Sequence, residues 1–387
     1  MNNLTADKRR TLIFLIIANF LMSFGFRVWQ TLLNNFAVEE IGIGPASIGW
    51  LQALREVPGL MGFLVGFLVL FLSESRILAL SIILLGAGIF LTGQASDIPF
   101  LLISTVVMSF GFHFFSPSND AIVLMSVDQK RAPKRLGQLK SLGAVGALTA
   151  TGVVYFLAER WGYRTLFMVV GGFVAAGGLL LLPFARLQGG KSIRRPIILR
   201  KRYWLYYVLA FLMGSRRHIF TTFAIFLLVR VHGISVQTTA ILFLANSMIN
   251  VYALQLVGKL VSRLGERLML SIAFFTLIFI FLGYAYITYL PVLFLFFVLD
   301  NVIFGFNMAL TTYFQKIAVS VEEITSNLAV QQTINHIAAV VVPVIGGAAW
   351  ELFGSQMPFL VGVGIVLLSL ILVQFMSVPA TLKTLNP

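Results

Sequence analysis

Twelve apolar stretches succeed one another along this chain, at roughly 11–36, 47–72, 77–95, 99–125, 137–158, 165–184, 203–229, 236–261, 268–288, 291–316, 325–350 and 357–377. Most reach the ~20 residues that a helix needs to cross a bilayer. Lipid offers no partner for an open backbone, so the stretches are predicted to be transmembrane helices. Polar residues fall inside them in stripes. Ser23, Arg27, Gln30 and Asn34 in stretch 1 are spaced by four, three and four, which puts them on one helix face. His113, Ser116 and Asp120 repeat the pattern in stretch 4, and Asp300, Asn307 and Thr311 in stretch 10. Asn327, Gln331 and Asn335 do the same in stretch 11, and stretch 8 offers Asn246 and Asn250. Stretches 3, 6, 9 and 12 hold no charge and almost no amide in their cores, as lipid-facing helices would. The striped helices are expected to wall a crevice.

The pattern also repeats itself. Ile41-Gly42-Ile43 returns 191 residues later as His232-Gly233-Ile234, and Arg76-Ile77-Leu78 as Arg267-Leu268-Met269. Phe110-Gly111-Phe112-His113 matches Phe304-Gly305-Phe306-Asn307, and Glu159-Arg160-Trp161-Gly162 matches Glu351-Leu352-Phe353-Gly354. Four matches in the same order imply two similar bundles with a crevice between them. The expected division is a six-helix bundle over 1–185, a basic linker over 186–202 and a second six-helix bundle over 203–387.

Composition agrees with bilayer as the solvent: 59% of residues are hydrophobic and only 11% charged, where a soluble domain carries about a quarter charged residues. With both termini cytoplasmic, the loops on that side hold 20 Lys or Arg, and the opposite side holds Arg160, Arg164 and Arg230. That asymmetry sets the orientation. The net charge of +14 then reports topology and contact with anionic lipid, not nucleic acid. The first stretch follows Lys8-Arg9-Arg10 but is too long for a signal peptide and is read as a retained helix. There is no cysteine, so disulfides and thiolate metal sites do not arise. His113, His218 and His336 lie on different stretches and do not make a metal-ligand spacing. Within the linker, Ala185-Arg186-Leu187-Gln188-Gly189-Gly190-Lys191-Ser192 misses a phosphate-binding loop by having alanine for the first glycine, after a membrane helix rather than a strand. No hydrolase or metalloprotease motif occurs. Neither an enzyme nor a cofactor is expected.

Inside the stretches lie the cations Arg27, Arg55, Lys140, Arg216 and Arg217 and the anions Glu56, Asp120 and Asp300. Each charge costs about 2.5–3.5 kcal/mol at a helix centre. Three acids can pair with three bases, which leaves two cations for water or an anionic ligand. Arg216 and Arg217 are adjacent, so they point about 100° apart on a helix. Arg217 shares a face with Gly214 and Thr221 and is the expected ligand-facing member. Lys140 lies near the end of stretch 5, where it can snorkel. Asp120, Glu56 and Asp300, in that order, are candidates for proton coupling, each with structural pairing to a buried arginine as the competing role. Arg55 begins Arg55-Glu56-Val57-Pro58-Gly59, where proline loosens the backbone.

The turn Gly258-Lys259-Leu260-Val261-Ser262-Arg263-Leu264-Gly265-Glu266-Arg267 resembles the Gly-x-Leu-x-Asp-Arg-x-Gly-x-Arg motif of the major facilitator superfamily, with Ser262 in place of the aspartate. Its first-half copy, Leu72-Ser73-Glu74-Ser75-Arg76, is shortened. Ala158-Glu159-Arg160-Trp161-Gly162-Tyr163-Arg164-Thr165-Leu166-Phe167 is similar to that family's turn between helices 5 and 6. Ser141 to Val154 lacks the Gly-Pro pair of many of its exporters, which counts against an ordinary drug-proton antiporter. Pro343-Val344-Ile345-Gly346-Gly347 is like that pair but reads as a kink with close packing. The resemblance implies an all-α integral membrane protein of two pseudo-symmetric six-helix bundles, working as a secondary transporter by alternating access. Gly258, Arg263, Gly265 and Arg267 would then latch the cytoplasmic side.

The repeat matches Arg27 with His218, beside Arg217. Arginines in helices 1 and 7 resemble those with which organophosphate:phosphate antiporters grip a phosphate, and arginine meets an oxyanion bidentately. The expectation is a monomeric carrier in a bacterial inner membrane for a small, anionic organic solute. Arg27 and Arg217 would hold the anion, with Gln30, Asn34, His113, Asn246, Gln331 and Asn335 around the rest, coupled to a proton or a counter-anion. A proton-coupled exporter of amphipathic drugs, a lipid or lysolipid flippase and a substrate-free sensor on the same fold are the alternatives.

Overall fold

The computed structural model describes residues 2–126, 132–185 and 198–377. Most of the linker, residues 186–197, lies outside these, as do the side chain of Lys140 and the whole of Lys383. The described residues form thirteen α-helices: α1 Asn2–Glu39, α2 Pro45–Leu60, α3 Phe63–Leu68, α4 Glu74–Gln94, α5 Ile98–Ser126, α6 Ala132–Leu181, α7 Trp204–Arg230, α8 Val236–Leu264, α9 Glu266–Tyr286, α10 Leu290–Phe304, α11 Asn307–Ile317, α12 Val321–Phe353 and α13 Met357–Val373. Ten spans are long and apolar enough to cross a membrane, and Met357–Val373 is a shorter apolar helix.

One of the ten, in α6, is two helices joined at Gly162, whose φ of 74° and ψ of 162° are not helical. Gly146 sits against Phe20 and Phe24, and Gly177 against Leu21. In a straight helix these two glycines would stand roughly 46 Å apart. They meet the same turn of α1, so the chain doubles back at Gly162. With that division and α13, the helices are consistent with twelve crossings.

The sequence repeat is visible in the backbone. α4 and α9 are both 21 residues long and begin 192 residues apart, as do α5 and α10, while α1 and α7 end 191 apart. Four of the five glycines with positive φ, a conformation open to glycine for want of a Cβ, form the repeat pairs Gly42/Gly233 and Gly162/Gly354. The fifth, Gly265, precedes α9 with φ 82° and no side-chain cap, where the first half has Ser73, whose side chain accepts from Arg76 N–H.

Two stretches are broken. After Pro58, α2 gives way to α3 through i→i−3 bonds such as Leu64 N–H to Met61 O, and α10 gives way to α11 in the same way, Phe306 N–H to Ile303 O.

The chain packs as two compact units. Unit 1 comprises 1–43, 54–193 and 234–243; unit 2 comprises 44–53, 194–233 and 244–387. In unit 1, α4 packs on α5 and α6, and α1 on α6. Glycine makes these approaches possible: a Cβ at Gly86 would overlap the backbone of Gly171 and Ala175, and one at Gly88 or Gly111 that of Met108 or of Ser81 and Leu85. The start of α8 belongs here too, with Asn35 Nδ2 donating to Ile234 O (2.9 Å) and Thr239 Oγ1 donating to Asn35 Oδ1 (3.2 Å). In unit 2, α7 packs on α12 and α13, and α9 on α13, through rings: Phe220 meets Phe281, Tyr284 and Phe297, and Tyr284 stacks on Phe359. The start of α2 lies against α12, with Gly49 on Pro343 and Gly347 on Pro45.

Candidate functional site

In unit 1, Arg27 lies in the middle of α1 with its guanidinium over the Phe243 ring, 5.5 Å from the centroid. Among the described residues no carboxylate lies within salt-bridge distance of it. A cation over a ring face gains about 0.5–2 kcal/mol, less than the cost of holding the charge at a helix centre. Gln30 is half-buried on the same face, and Asn34, one turn on, is buried with an Oδ1 that accepts no hydrogen bond. Arg55 and Glu56 pair with each other, Nη2 to Oε1 at 2.7 Å. His113 Nε2 stands 3.9 Å from the other oxygen of Glu56, and Ser109 Oγ donates to the carbonyl of Arg55. Asp120 is exposed near the end of α5 and accepts from Asn119 Nδ2 at 3.2 Å. Asn119 in turn accepts from Asn19 at 2.7 Å.

Unit 2 gathers its charges. Arg216 Nη1 donates to Asp300 Oδ1 and Arg217 Nη1 to Asp300 Oδ2, both at 2.8 Å. The carboxylate is fully buried; the Arg216 side chain is 1% exposed and that of Arg217 17%. Arg217 continues to Asn301 Oδ1 (3.0 Å) and covers the Phe304 ring at 4.3 Å. The Nε of Arg216 is buried without a hydrogen-bond partner. Two guanidiniums on one carboxylate leave a formal charge of +1.

Next to this triad is a cavity of about 410 Å³, lined among others by Gly214, Arg216, Asn307, Thr311, Gln331 and Asn335. Gln331 is fixed at both ends: Tyr206 Oη donates to its Oε1 (2.8 Å), and its Nε2 donates to Asn307 Oδ1 (3.4 Å). Gly214 opens the space in front of Asn335, whose Oδ1 a Cβ there would crowd. Of the adjacent arginines, Arg216 lines this cavity, and both reach Asp300. Asn246, on α8, is buried with its Oδ1 unpartnered.

Sequence reading overlooked Asn301 and Tyr206. Asn301 adjoins a named acid. Tyr206 lies 10 residues before Arg216, on the same helix, so position relative to the charge was the available signal. It also overlooked a cluster where the linker meets α12. There the buried Glu323 takes hydrogen bonds from Arg200 and Tyr203, and Asn327 Nδ2 donates to Ile198 O at 3.0 Å.

The four turn residues lie in unit 2. Gly258 is within α8 and Gly265 separates α8 from α9. Arg267 donates through Nε and Nη2 to Gln374 Oε1 at 3.3 and 3.1 Å, Glu266 pairs with Lys316 at 2.6 Å, and Arg263 is exposed. Among the described residues no three His, Cys, Asp or Glu side chains converge as a metal site would require.

The family model of the Major Facilitator Superfamily matches residues 15–341. The chain belongs to this superfamily. It is a multi-pass integral membrane protein with the fold of the superfamily's transporters. A bacterial homologue of the human lysosomal transporter Spinster, in an inward-facing and occupied conformation, matches with a TM-score of 0.76 at 15% identity, over 94% of this chain and 96% of that one. The nucleoside transporter NupG matches with a TM-score of 0.77 at 16% identity, over 95% of this chain and 98% of that one. At these identities the likeness is one of fold. No curated protein is similar enough in sequence to match.

Proposed function

We propose that this superfamily member is a secondary transporter that carries a small, anionic organic solute by alternating access, as a monomer in a bacterial inner membrane with both termini cytoplasmic. The observation that carries the reading is unbalanced charge. Arg55 is answered by Glu56, but Arg216 and Arg217 share one carboxylate and Arg27 has none among the described residues. A buried ion without compensation costs several kcal/mol, and an anion supplies that compensation only when bound. Arg27 in unit 1 and Arg217 with Arg216 in unit 2 are the cationic loci. Gln30, Asn34, His113, Asn246, Gln331 and Asn335 are the polar groups that read the remainder of the solute. Asp120, Glu56 and Asp300, with Arg55, are the groups through which proton or counter-anion coupling would run, and Gly258, Arg263, Gly265 and Arg267 form the cytoplasmic latch.

The test is thermal stability of the purified protein against phosphorylated, carboxylate, lysolipid and cationic amphipathic compounds, because a ligand that binds the native state stabilises it by mass action. A shift with small anions, abolished in Arg27→Gln and in Arg217→Gln, is the expected result. A shift with cationic compounds alone replaces the reading with a drug exporter, and a shift with lysolipids alone replaces it with a lipid carrier.

A further inference from the structure

Charge and polarity in the unit 2 cavity narrow the solute further, on the premise that the anion reading above holds. Arg216 is the single charged residue among those lining the cavity, and its charge belongs to a triad whose formal sum is +1. A monoanion brings that sum to zero. A dianion leaves an uncompensated negative charge in a space walled mainly by side chains without charge, where burial of net charge is penalised.

The remaining lining groups require donors as well as acceptors from the ligand. Gln331 is already satisfied by Tyr206 and Asn307. Asn335 lines the space and makes no hydrogen bond to the protein among the described residues, so its amide keeps both an acceptor and donors for a ligand. Thr311 Oγ1 donates to Asn307 O (3.4 Å) and keeps acceptor capacity. Carboxylate or phosphate oxygens only accept. Hydroxyl groups both donate and accept, which suits Asn335 and Thr311 together with the unused Nδ2 of Asn307. At about 410 Å³ the cavity lies at the small end of ligand pockets, which run from roughly 300 to 1,000 Å³.

We propose that this cavity selects a singly charged acid bearing several hydroxyl groups, a compound of the sugar-acid type, with its carboxylate toward Arg216 and its hydroxyls on Asn307, Thr311 and Asn335. The experiment is a thermal-shift titration of the full-length protein with gluconate, glucuronate, the neutral polyol glucitol, glucose 6-phosphate and butanoate. A sugar acid is expected to bind at least roughly tenfold more tightly than glucitol or butanoate, each of which lacks one half of the match, and more tightly than the dianionic phosphate ester. Asn335→Ala is expected to weaken sugar-acid binding roughly tenfold while leaving butanoate unchanged. Asp300→Asn raises the formal sum to +2 and is expected to move the preference toward glucose 6-phosphate. If that variant does not survive purification, Asn335→Ala and the wild-type ranking decide. Tighter binding of glucose 6-phosphate or butanoate by the wild type overturns this inference and leaves the anion reading standing. Equal losses for gluconate and butanoate in Asn335→Ala also overturn it. If no anion shifts the protein, both readings fall together.

Discussion

Arg27 in unit 1 and the Arg216–Asp300–Arg217 triad in unit 2 occupy related places in a repeated sequence but meet the cost of a buried charge differently. Unit 1 lays one guanidinium on a ring face and leaves it without a carboxylate among the described residues. Unit 2 clasps one carboxylate between two guanidiniums and still carries a net charge. Packing diverges in part: α4 meets α5 and α6 of unit 1 backbone to backbone at glycines, whereas α7, α9, α10 and α13 of unit 2 are spaced by aromatic rings, and close glycine contact in unit 2 lies at α2 and α12, where Gly49 meets Pro343 and Gly347 meets Pro45. A duplicated fold thus keeps the positions of helix ends and glycine turns while its interior chemistry drifts. Position in the repeat is a guide to architecture and a poor guide to charge pairing.

The largest difference between the units should appear on removal of the acid. Asp300→Ala strands Arg216, which is 1% exposed, and also takes the carboxylate from the partly exposed Arg217, and is expected to cost about 3–5 kcal/mol. Glu56→Ala strands Arg55, whose side chain is 18% exposed and can recover water, so a loss well under half of that is expected. Denaturant or thermal unfolding in detergent measures both. Equal losses would mean that Asp300 is not the keystone of unit 2.

Removing single cations should separate binding from stability. Arg27→Gln deletes a charge that has no carboxylate to strand, so the ligand-free protein is expected to lose no stability, while anion affinity falls by at least roughly tenfold. Arg217→Gln leaves Arg216 paired one-to-one with Asp300 and brings the triad to neutrality, with a comparable loss of affinity. The double variant distinguishes one shared ligand from two independent loci. A summed loss that departs from additivity by more than ~0.5 kcal/mol indicates coupling.

The packing contrast is open to a subtler test. At Gly86 an added methyl meets the backbone of Gly171 and Ala175, and at Gly283 it meets the ring of the half-buried Phe296. Backbone yields only by moving a helix, whereas a ring rotates. Gly86→Ala is therefore expected to cost about 1–3 kcal/mol and Gly283→Ala clearly less, read by the same unfolding measurement.

Much of this architecture was legible because lipid forces it. Uninterrupted apolar runs have to be helices, and the 191-residue repeat returns as paired positive-φ glycines and matching helix starts and ends. The reversal at Gly162 lies between the stretches expected at 137–158 and 165–184. The break after Pro58 was foreshadowed by the proline, but the one at Gly305 was not, since a lone glycine in an apolar run does not announce a tightened turn. Of the site, the polar stripes identified Asn307, Thr311, Gln331 and Asn335, which do meet in one cavity. The partner of each charge was out of reach. Adjacent arginines diverge by about 100° at the backbone, yet their side chains are long enough to converge on one carboxylate. That is decided by tertiary position, which spacing along the chain does not encode.

The smallest effect sharpens the comparison where the repeats are most alike. Ser73 and Gly265 both precede a 21-residue helix, but Ser73 has extended backbone and a capping side chain, and Gly265 has φ 82° and none. Ser73→Gly is expected to cost a few tenths of a kcal/mol, the usual difference between serine and glycine at an N-cap. Gly265→Ser forces an L-residue to φ 82° and ψ 159°, a region open essentially to glycine alone, and is expected to cost about 1–3 kcal/mol, offset in part by any cap the new hydroxyl makes. If Gly265→Ser proves as mild as Ser73→Gly, the turn relaxes to the geometry of its repeat partner. The shortened motif of the first half would then serve as well as the full one, and a latch role for Gly265 would lose its conformational basis.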